Sequence, residues 1–519
     1  MTVEQLSSTS SGSTSRVTKF RIAIVGGGIG GLACAVALKN HPNVEIDLYE
    51  QAAQITEIGA GIVIWPRTWD ILKSMGLEKD LAVLLKEPPS NVQKVAFEMR
   101  LSDRKEGFTF RKIFTRDGGF YFHRSDLQNA LLRQIPESSP SPFSSSPGPS
   151  SRGNCTIHLL HRLTHCEETP DSVKLFFENG FSTTCDLAIG ADGIKSAMRK
   201  YVVNGFSDVR GARELSGLSG CRSHEINGFN GSSSTRDREE QGRKERMEEK
   251  GKKGEEVLVF TGSKAFRGLV TRERFERLCP GHRALVNAVM YNGKSKHIVV
   301  YPINGGRLIN IAAFVSHPED EGKMIIPGLD VPSPATTGEI LDAFSGWEPE
   351  AIELLRTIEN PSCWPILDLR ALKTYTSNRI LLLGDAAHAM TPHLGAGAGQ
   401  AIEDAFVLGY LFSTLIKPNS NTQTSTSSLL GLIRIYDAVQ RPFATHLQKN
   451  CRKQGYYNEL NSTHIPEFRD ILCEGQDLSL EQIIELGSAL RENWDSWWQD
   501  CAVSDLEMSL GILRIRGKL

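Results

Sequence analysis

Residues 20–40 read FRIAIVGGGIGGLACAVALKN, and this stretch decides the fold. Ile22-Ala23-Ile24-Val25 is a continuous apolar run, as a strand buried on both faces requires. Gly26-Gly27-Gly28-Ile29-Gly30-Gly31 follows, and then a small, apolar helix pattern from Leu32 to Lys39. In a unit of this form Gly26 permits the tight turn, Gly28 lets a pyrophosphate approach the backbone, and Gly31 allows close helix–strand packing. The helix N-terminus adds free N–H groups and partial positive charge. The next strand pattern, Val44 to Tyr49, ends in Glu50, nineteen residues beyond Gly31, where a carboxylate accepts hydrogen bonds from ribose hydroxyls. Strand, glycines, helix, strand and acid in register predict a dinucleotide-binding β-α-β unit. The motif alone leaves NAD and FAD open.

A second signature lies far downstream. Arg379-Ile380-Leu381-Leu382-Leu383 is another buried-strand run, followed by Gly384-Asp385-Ala386-Ala387-His388. Asp385 therefore sits at a strand C-terminus, where an open α/β sheet meets its ligand. Pro392, Gly395, Gly397 and Gly399 then lead into a helix pattern from Gln400 to Leu411. Asp385 would hold a ribityl hydroxyl. The glycine-rich helix start would aim N–H groups at the pyrimidine edge of an isoalloxazine, favouring the anion formed on reduction. An NAD dehydrogenase has no need of this second element, so the pair points to FAD.

The remaining composition narrows the class. A chain of 519 residues holds two or three packed units. Hydrophobic content of 40% and charged content of 23% are those of a soluble globular protein, and a net charge of −2 argues against a nucleic-acid partner. The ten cysteines form no C-x-x-C pair, which suits reduced thiols in a cytoplasmic setting better than disulfides or zinc. His388 and His393, five apart, lack a third ligand in view, so no metal is expected. No stretch is apolar enough to span a bilayer. The Ser/Thr-rich residues 1–19 read as a disordered arm, and the terminal Gly517-Lys518-Leu519 departs from the Ser-Lys-Leu peroxisomal address at its first residue.

Two segments read as surface excursions. Glu137–Arg152 is a Ser/Pro loop, and Arg210–Glu256 alternates opposite charges without an apolar stripe, the pattern of a disordered insertion more than of a solvated helix. The fold class expected is α/β. A Rossmann-like FAD-binding domain (20–85, 118–204, 374–417) is interrupted by an α+β substrate domain with a mainly antiparallel sheet (86–117, 257–373). The 210–256 insert separates the two, and a helical C-terminal region covers 429–519. Trp494, Trp497 and Trp498 read as packing for the C-terminal helices or an interface plug.

Eight segments in order resemble the flavoprotein aromatic hydroxylases, within them the salicylate-hydroxylase-like branch. They are VGGGIGGL at 25–32, EIGAGIVI at 57–64, HRSDLQNALL at 123–132, IGADGIKSAMR at 189–199, FRGLV at 266–270, YPINGGRLIN at 301–310, GDAAHAMTPHLGAGAGQAIEDA at 384–405 and YDAVQRP at 436–442. The resemblance runs from about Phe20 to Tyr457, inserts excluded. It implies FAD contacts at Glu50, the Gly61–Val63 backbone, Arg124, Asp385 and the Gly397–Ala398 backbone. Asp192-Gly193 matches the segment that serves both FAD and a transient NAD(P)H. Pro392 would border the place where a C4a-hydroperoxyflavin meets substrate, in a pocket that excludes water.

The activity so implied is NAD(P)H- and O2-dependent hydroxylation of a phenolic or other aromatic small molecule by a monomer or homodimer, with decarboxylation or dearomatisation as variants. A phenol becomes a better nucleophile when a base takes or shares its proton. Arg199 and Arg267 are the candidates for pairing with a substrate carboxylate or phenolate through a planar fork. Each also has a structural reading, as a helix cap or an ion-pair partner. Two positions depart from the family pattern: Phe266, where many relatives have Tyr, and Gly262, where some carry His. Both leave the catalytic base unassigned. Two other readings stay open: an epoxidase or Baeyer–Villiger-type oxygenase of a polyketide or terpenoid intermediate, and a flavin-binding redox protein without oxygenase turnover.

Overall fold

The structure, a computed structural model, describes residues 19–55, 61–135, 155–203, 258–323, 332–415, 426–461 and 471–498, with residues 468, 507 and 511. The expected arm, the Ser/Pro loop, the charged insert and the C-terminal tripeptide lie outside the described residues, as do the side chains of Trp497 and Trp498.

The opening apolar run is the strand Phe20–Val25, at the centre of a five-stranded sheet. Its order is Ile380–Leu382, Leu187–Gly190, Phe20–Val25, Val44–Tyr49, Cys155–His158. All four pairings are parallel, so every strand delivers its C-terminal end to one edge. Ile24, Ile189 and Leu381 are fully buried, which is why their strands carry the unbroken apolar runs IAIV, LAIG and ILL, whereas Val44–Tyr49 buries Val44, Ile46 and Leu48 and exposes Glu45. The helix Ile29–Leu38 makes the crossover between the first two strands. It lies so close to the helix Gly397–Leu415 that a Cβ on Gly409 would come within 2.9 Å of Ala37.

The second layer is an eight-stranded sheet. Its order is Ser333–Pro334, Ser362–Leu369, Leu258–Thr271, Leu308–Ser316, Lys296–Ile303, Val289–Gly293, Gln93–Leu101, Phe108–Arg116. Val289–Gly293 runs parallel to Gln93–Leu101, and the other pairings are antiparallel. One face packs on the helices Thr337–Ala343 and Pro349–Arg356 through Val270, Ile298, Val300 and Ile311. Register fixes what shares the other face, because directly paired residues point the same way. Met290, Val299, Ala312 and Arg267 form one row across four strands, and His297, Phe314, Ala265 and Trp364 form the next.

The C-terminal region is helical, with Thr426–Asn458 and Leu480–Trp498. Among the described residues no helix is long and apolar enough to cross a membrane.

Candidate active site

A cavity of about 1030 Å³ runs along the C-terminal edge of the parallel sheet and on across the inner face of the antiparallel one. Four turns leaving the parallel strands reach it: Gly26–Gly28, Glu50, Ala191–Gly193 and Gly384–Asp385. It is at the upper end of the ~300–1,000 Å³ of small-molecule pockets, room for a dinucleotide and a smaller molecule end to end.

The glycines divide the labour as their spacing predicts. Gly26 has φ +109°, and a Cβ there would lie 2.3 Å from the Ala191 carbonyl oxygen. A Cβ on Gly31 would lie 2.0 Å from the carbonyl oxygen of Gly26. Gly28 is the opposite case: it lines the cavity, and a Cβ would meet no described atom within 4 Å. Closed packing beneath an open approach is the shape a pyrophosphate needs. Beside it the Glu50 carboxylate is oriented by the N–H groups of Gly27 and Ala52, which donate to Oε2 and Oε1 at 2.7 and 2.8 Å.

At the other end Asp385 is exposed to the cavity, 3.9 Å from where a Cβ on Gly397 would stand. The turn that carries it is pinned from below by Asp404. Its carboxylate accepts from the Gly384 N–H at 2.9 Å, pairs with His388 Nε2 at 2.6 Å, and accepts from Gln400 and Gln440 at 3.0 Å each. Both members of the His388–Asp404 pair are fully buried. Burial opposes charge on each, yet their mutual attraction wins, raising the His388 pKa and lowering that of Asp404. Arg124, Gly61, Val63, Gly397 and Ala398 also line the cavity. The Gly61 N–H donates to Asn310 Oδ1 at 3.0 Å, joining the short two-stranded ribbon of Gly61–Ile64 and Phe120–His123 to the eight-stranded sheet. The open glycine cradle, Glu50 and Asp385 together fit FAD laid along the sheet edge.

Arg199 does not line the cavity. Its guanidinium donates to the carbonyl oxygens of Ala386 (2.8 Å), Ile194 (2.8 Å), Asp385 (3.1 Å) and Gly193 (3.2 Å). Of the two readings open for it, the geometry supports the structural one: a brace between the two segments that bear Asp192 and Asp385. The Asp192 carboxylate likewise turns inward, accepting from Ser196 Oγ and the N–H groups of Ala197 and Met198, so Asp192-Gly193 meets the cavity from a locally capped turn.

The far chamber is walled by Phe97, Met290, Val299, Phe314, Trp364 and Met390. Pro392 opens the single turn Pro392–Leu394 at its edge. Arg267 faces in from the sheet with its guanidinium 5.0 Å over the Trp364 ring, and its Nε is buried without a hydrogen-bond partner. Burial lowers its pKa, with Tyr301 opposing and Arg124 adding to the effect. Burial also pushes the Tyr301 phenol up to about 12, Arg267 opposing, so Tyr301 is a donor at neutral pH. The two departures from the family pattern gain a physical account. Phe266 packs on the opposite face, among the residues beneath the helices, so a phenol there would not reach this chamber. Gly262 has φ +76° at a bulge, and a Cβ would lie 2.3 Å from the His317 carbonyl oxygen, so this backbone accepts no side chain.

Relatives agree with this geometry. The chain is 30% identical over 506 residues to a salicylate hydroxylase of Pseudomonas putida, covering 95% of both chains. The chain belongs to the flavoprotein aromatic hydroxylases. This hydroxylase is also 29% identical to the 6-methylsalicylate 1-monooxygenase atA of Aspergillus terreus, over 76% of each chain. Its fold matches a solved salicylate hydroxylase substrate complex at a TM-score of 0.68 and 25% identity, covering 95% of this chain and 98% of that one. Residues 335–428 match a family model described as an FAD binding domain, and residues 24–56 one described as an NAD(P)-binding Rossmann-like domain.

Several parts of the hydroxylase's site escaped sequence reasoning. Asp404 lies in the 384–405 segment, whose spacing alone does not reveal its pairing with His388; an acid on the inner face of a buried helix is the signal. Arg67 and Glu403 form a buried two-point ion pair at 2.9 Å that ties the residues after the Gly61–Ile64 strand to the helix Gly397–Leu415. Trp494 packs with the C-terminal helices, clustering with Leu447, Cys451 and Leu490, and it also reaches back to stand edge-on to Trp65 at 5.0 Å and lines the chamber. His297 and His393 both line the chamber as well.

Proposed function

We propose that this chain hydroxylates a phenolic aromatic acid, NAD(P)H supplying electrons and O2 the oxygen. One observation carries the reading: a dinucleotide cradle opens without interruption into an apolar, aromatic-walled chamber lined by the half-buried Arg267. When bound, FAD accepts hydride from NAD(P)H and activates O2. The chain's residues do the rest. Glu50, Arg124, Asp385 and the backbones of Gly61–Val63 and Gly397–Ala398 hold the cofactor, and Asp192-Gly193 lies beside it. Arg267, half-buried and stacked on Trp364, pairs with the substrate carboxylate and sets the ring's orientation. Phe97, Met290, Phe314 and Trp494 sandwich the ring and keep water from the reacting face. The salicylate hydroxylase and 6-methylsalicylate 1-monooxygenase relatives support an aromatic acid.

The test is NAD(P)H oxidation by the purified protein against a panel of hydroxybenzoates, with isotope-labelled O2 and mass spectrometry of the products. Labelled hydroxylated product supports the reading. Turnover of alkenes or ketones but not phenols would replace it with the epoxidase or Baeyer–Villiger alternative. Slow flavin reduction indifferent to ligand would leave a redox protein.

A further inference from the structure

His297 is fully buried on the strand Lys296–Ile303, yet its Nε2 has no hydrogen-bond partner and its ring lines the chamber. The other nitrogen is engaged: Nδ1 lies 3.0 Å from Glu459 Oε1, a carboxylate that is itself 4% exposed. Glu459 also accepts from Ser316 Oγ at 2.8 Å and from Asn461 Nδ2 at 3.3 Å. A carboxylate surrounded by donors places the hydrogen on Nδ1, which leaves Nε2 as an unpartnered lone pair on a ring that lines the chamber. The ring is fixed in place by stacking on Phe314, 4.3 Å between centroids and 3° from parallel.

We propose that His297 is the base that takes the phenolic proton of the substrate, with Glu459 as its positioning residue. The assignment rests on the aromatic-acid reading above. The substrate O–H bond breaks, an Nε2–H bond forms, and a phenolate is left beside an imidazolium that Glu459 stabilises; no electrons change hands. The spacing agrees. His297 and Arg267 stand two strands and two residues apart on one sheet face, about 12 Å between α-carbons at ordinary strand spacing and rise. Two side chains reaching inward from those points leave room for one ring, carboxylate to Arg267 and hydroxyl to His297.

The charged and titratable groups around His297 are Glu459 from the end of the helix Thr426–Asn458, His393 from the Pro392 turn, and behind them Arg452 and Lys294. His393, 5.2 Å away ring to ring, is the obvious rival. It lacks a carboxylate partner among the described residues, and burial, His297 and Arg452 hold its pKa well below the ordinary range, so it takes up a proton poorly.

The test uses oxidised holoprotein without NAD(P)H, titrated with 3-fluoro-4-hydroxybenzoate and 5-fluorosalicylate, reading the ionisation of the bound phenol by fluorine NMR across pH. The wild type should lower the bound probe's apparent phenol pKa by about one unit or more, a tenfold shift in ionisation. His297→Gln should abolish that shift while keeping its flavin, and Glu459→Gln should reduce it. In turnover, the variant's hydroxylation rate should climb with pH towards the phenol's own pKa. A shift equal in wild type and His297→Gln overturns the assignment, as does a shift that vanishes in His393→Asn but survives in His297→Gln. Should His297→Gln fail to fold, an undiminished shift in Glu459→Gln also overturns it. A wild type that binds hydroxyaromatic acids without shifting the phenol sinks this assignment alone, whereas one that binds none of them sinks the aromatic-acid reading with it.

Discussion

Arg267→Met should act with opposite signs on stability and on binding. In the free protein Arg267 is half-buried, its Nε is buried without a partner, and its visible compensation is the Trp364 face. Replacing such a charge with an apolar side chain of similar length commonly stabilises by about 1–4 kcal/mol. The lost cation–π contact returns roughly 0.5–2 kcal/mol of that, so the net effect should lie near zero or be mildly stabilising. With an aromatic acid bound, two charge-assisted hydrogen bonds disappear, each worth about 1.5–3 kcal/mol. Their sum, about 3–6 kcal/mol, corresponds to a Kd raised by roughly two to four orders of magnitude. The assay is the change in flavin absorbance as holoprotein is titrated with salicylate, alongside thermal melts without ligand. Phenol, which lacks the carboxylate, should lose much less affinity. A variant that binds salicylate within about threefold of wild type, a free-energy change below about 0.7 kcal/mol, or that melts several degrees lower, refutes the reasoning.

Other outcomes follow from the same geometry. Asp404→Asn breaks a buried pair and should cost about 3–5 kcal/mol in urea unfolding, with faster loss of FAD. The pair also sets a pH window. His388, raised above its usual 6.5, contributes stability that is complete below 6.5 and lost as pH rises through its folded value. Asp404, lowered from 3.8, contributes stability complete above 3.8 and lost as pH falls through its folded value, and Asp404→Asn should flatten both flanks. Gly31→Ala should fail to fold or lose about 3 kcal/mol or more, while Gly28→Ala should fold normally but bind FAD weakly, read by melts and by flavin retention. Trp494→Ala should cost about 3–5 kcal/mol and raise kcat/KM for hydroxynaphthoates relative to hydroxybenzoates, since it opens the chamber wall.

Much of the cofactor end was legible because its rules are local. Gly26, Glu50 and Asp385 each follow a strand at a fixed offset and could be placed one motif at a time, Asp192 came with the family resemblance, and the parallel sheet brings all four to one edge. The substrate end was not, because it depends on register. Nothing local says that Arg267 shares a row with Val299 and Met290 or that Phe266 faces away from it; a slip of one residue would exchange them. Arg199 shows the other limit. A buried arginine after an Asp-Gly turn looks the same whether it meets a substrate or four carbonyl oxygens, and while Gly193 and Ile194 are local, Ala386 lies 187 residues downstream. Glu459, contributed by a helix outside both sheets, carries no motif at all.

That 187-residue separation also has a meaning during synthesis. At about 5–20 residues per second, Arg199 emerges from the ribosome some 10–40 s before Ala386. Until then the Leu187–Gly190 strand is an unpaired edge, and the brace has no second segment to hold. Flavin capture must therefore come late in translation, and chains halted before Ile380 should remain colourless and depend on chaperones to keep that edge from pairing elsewhere.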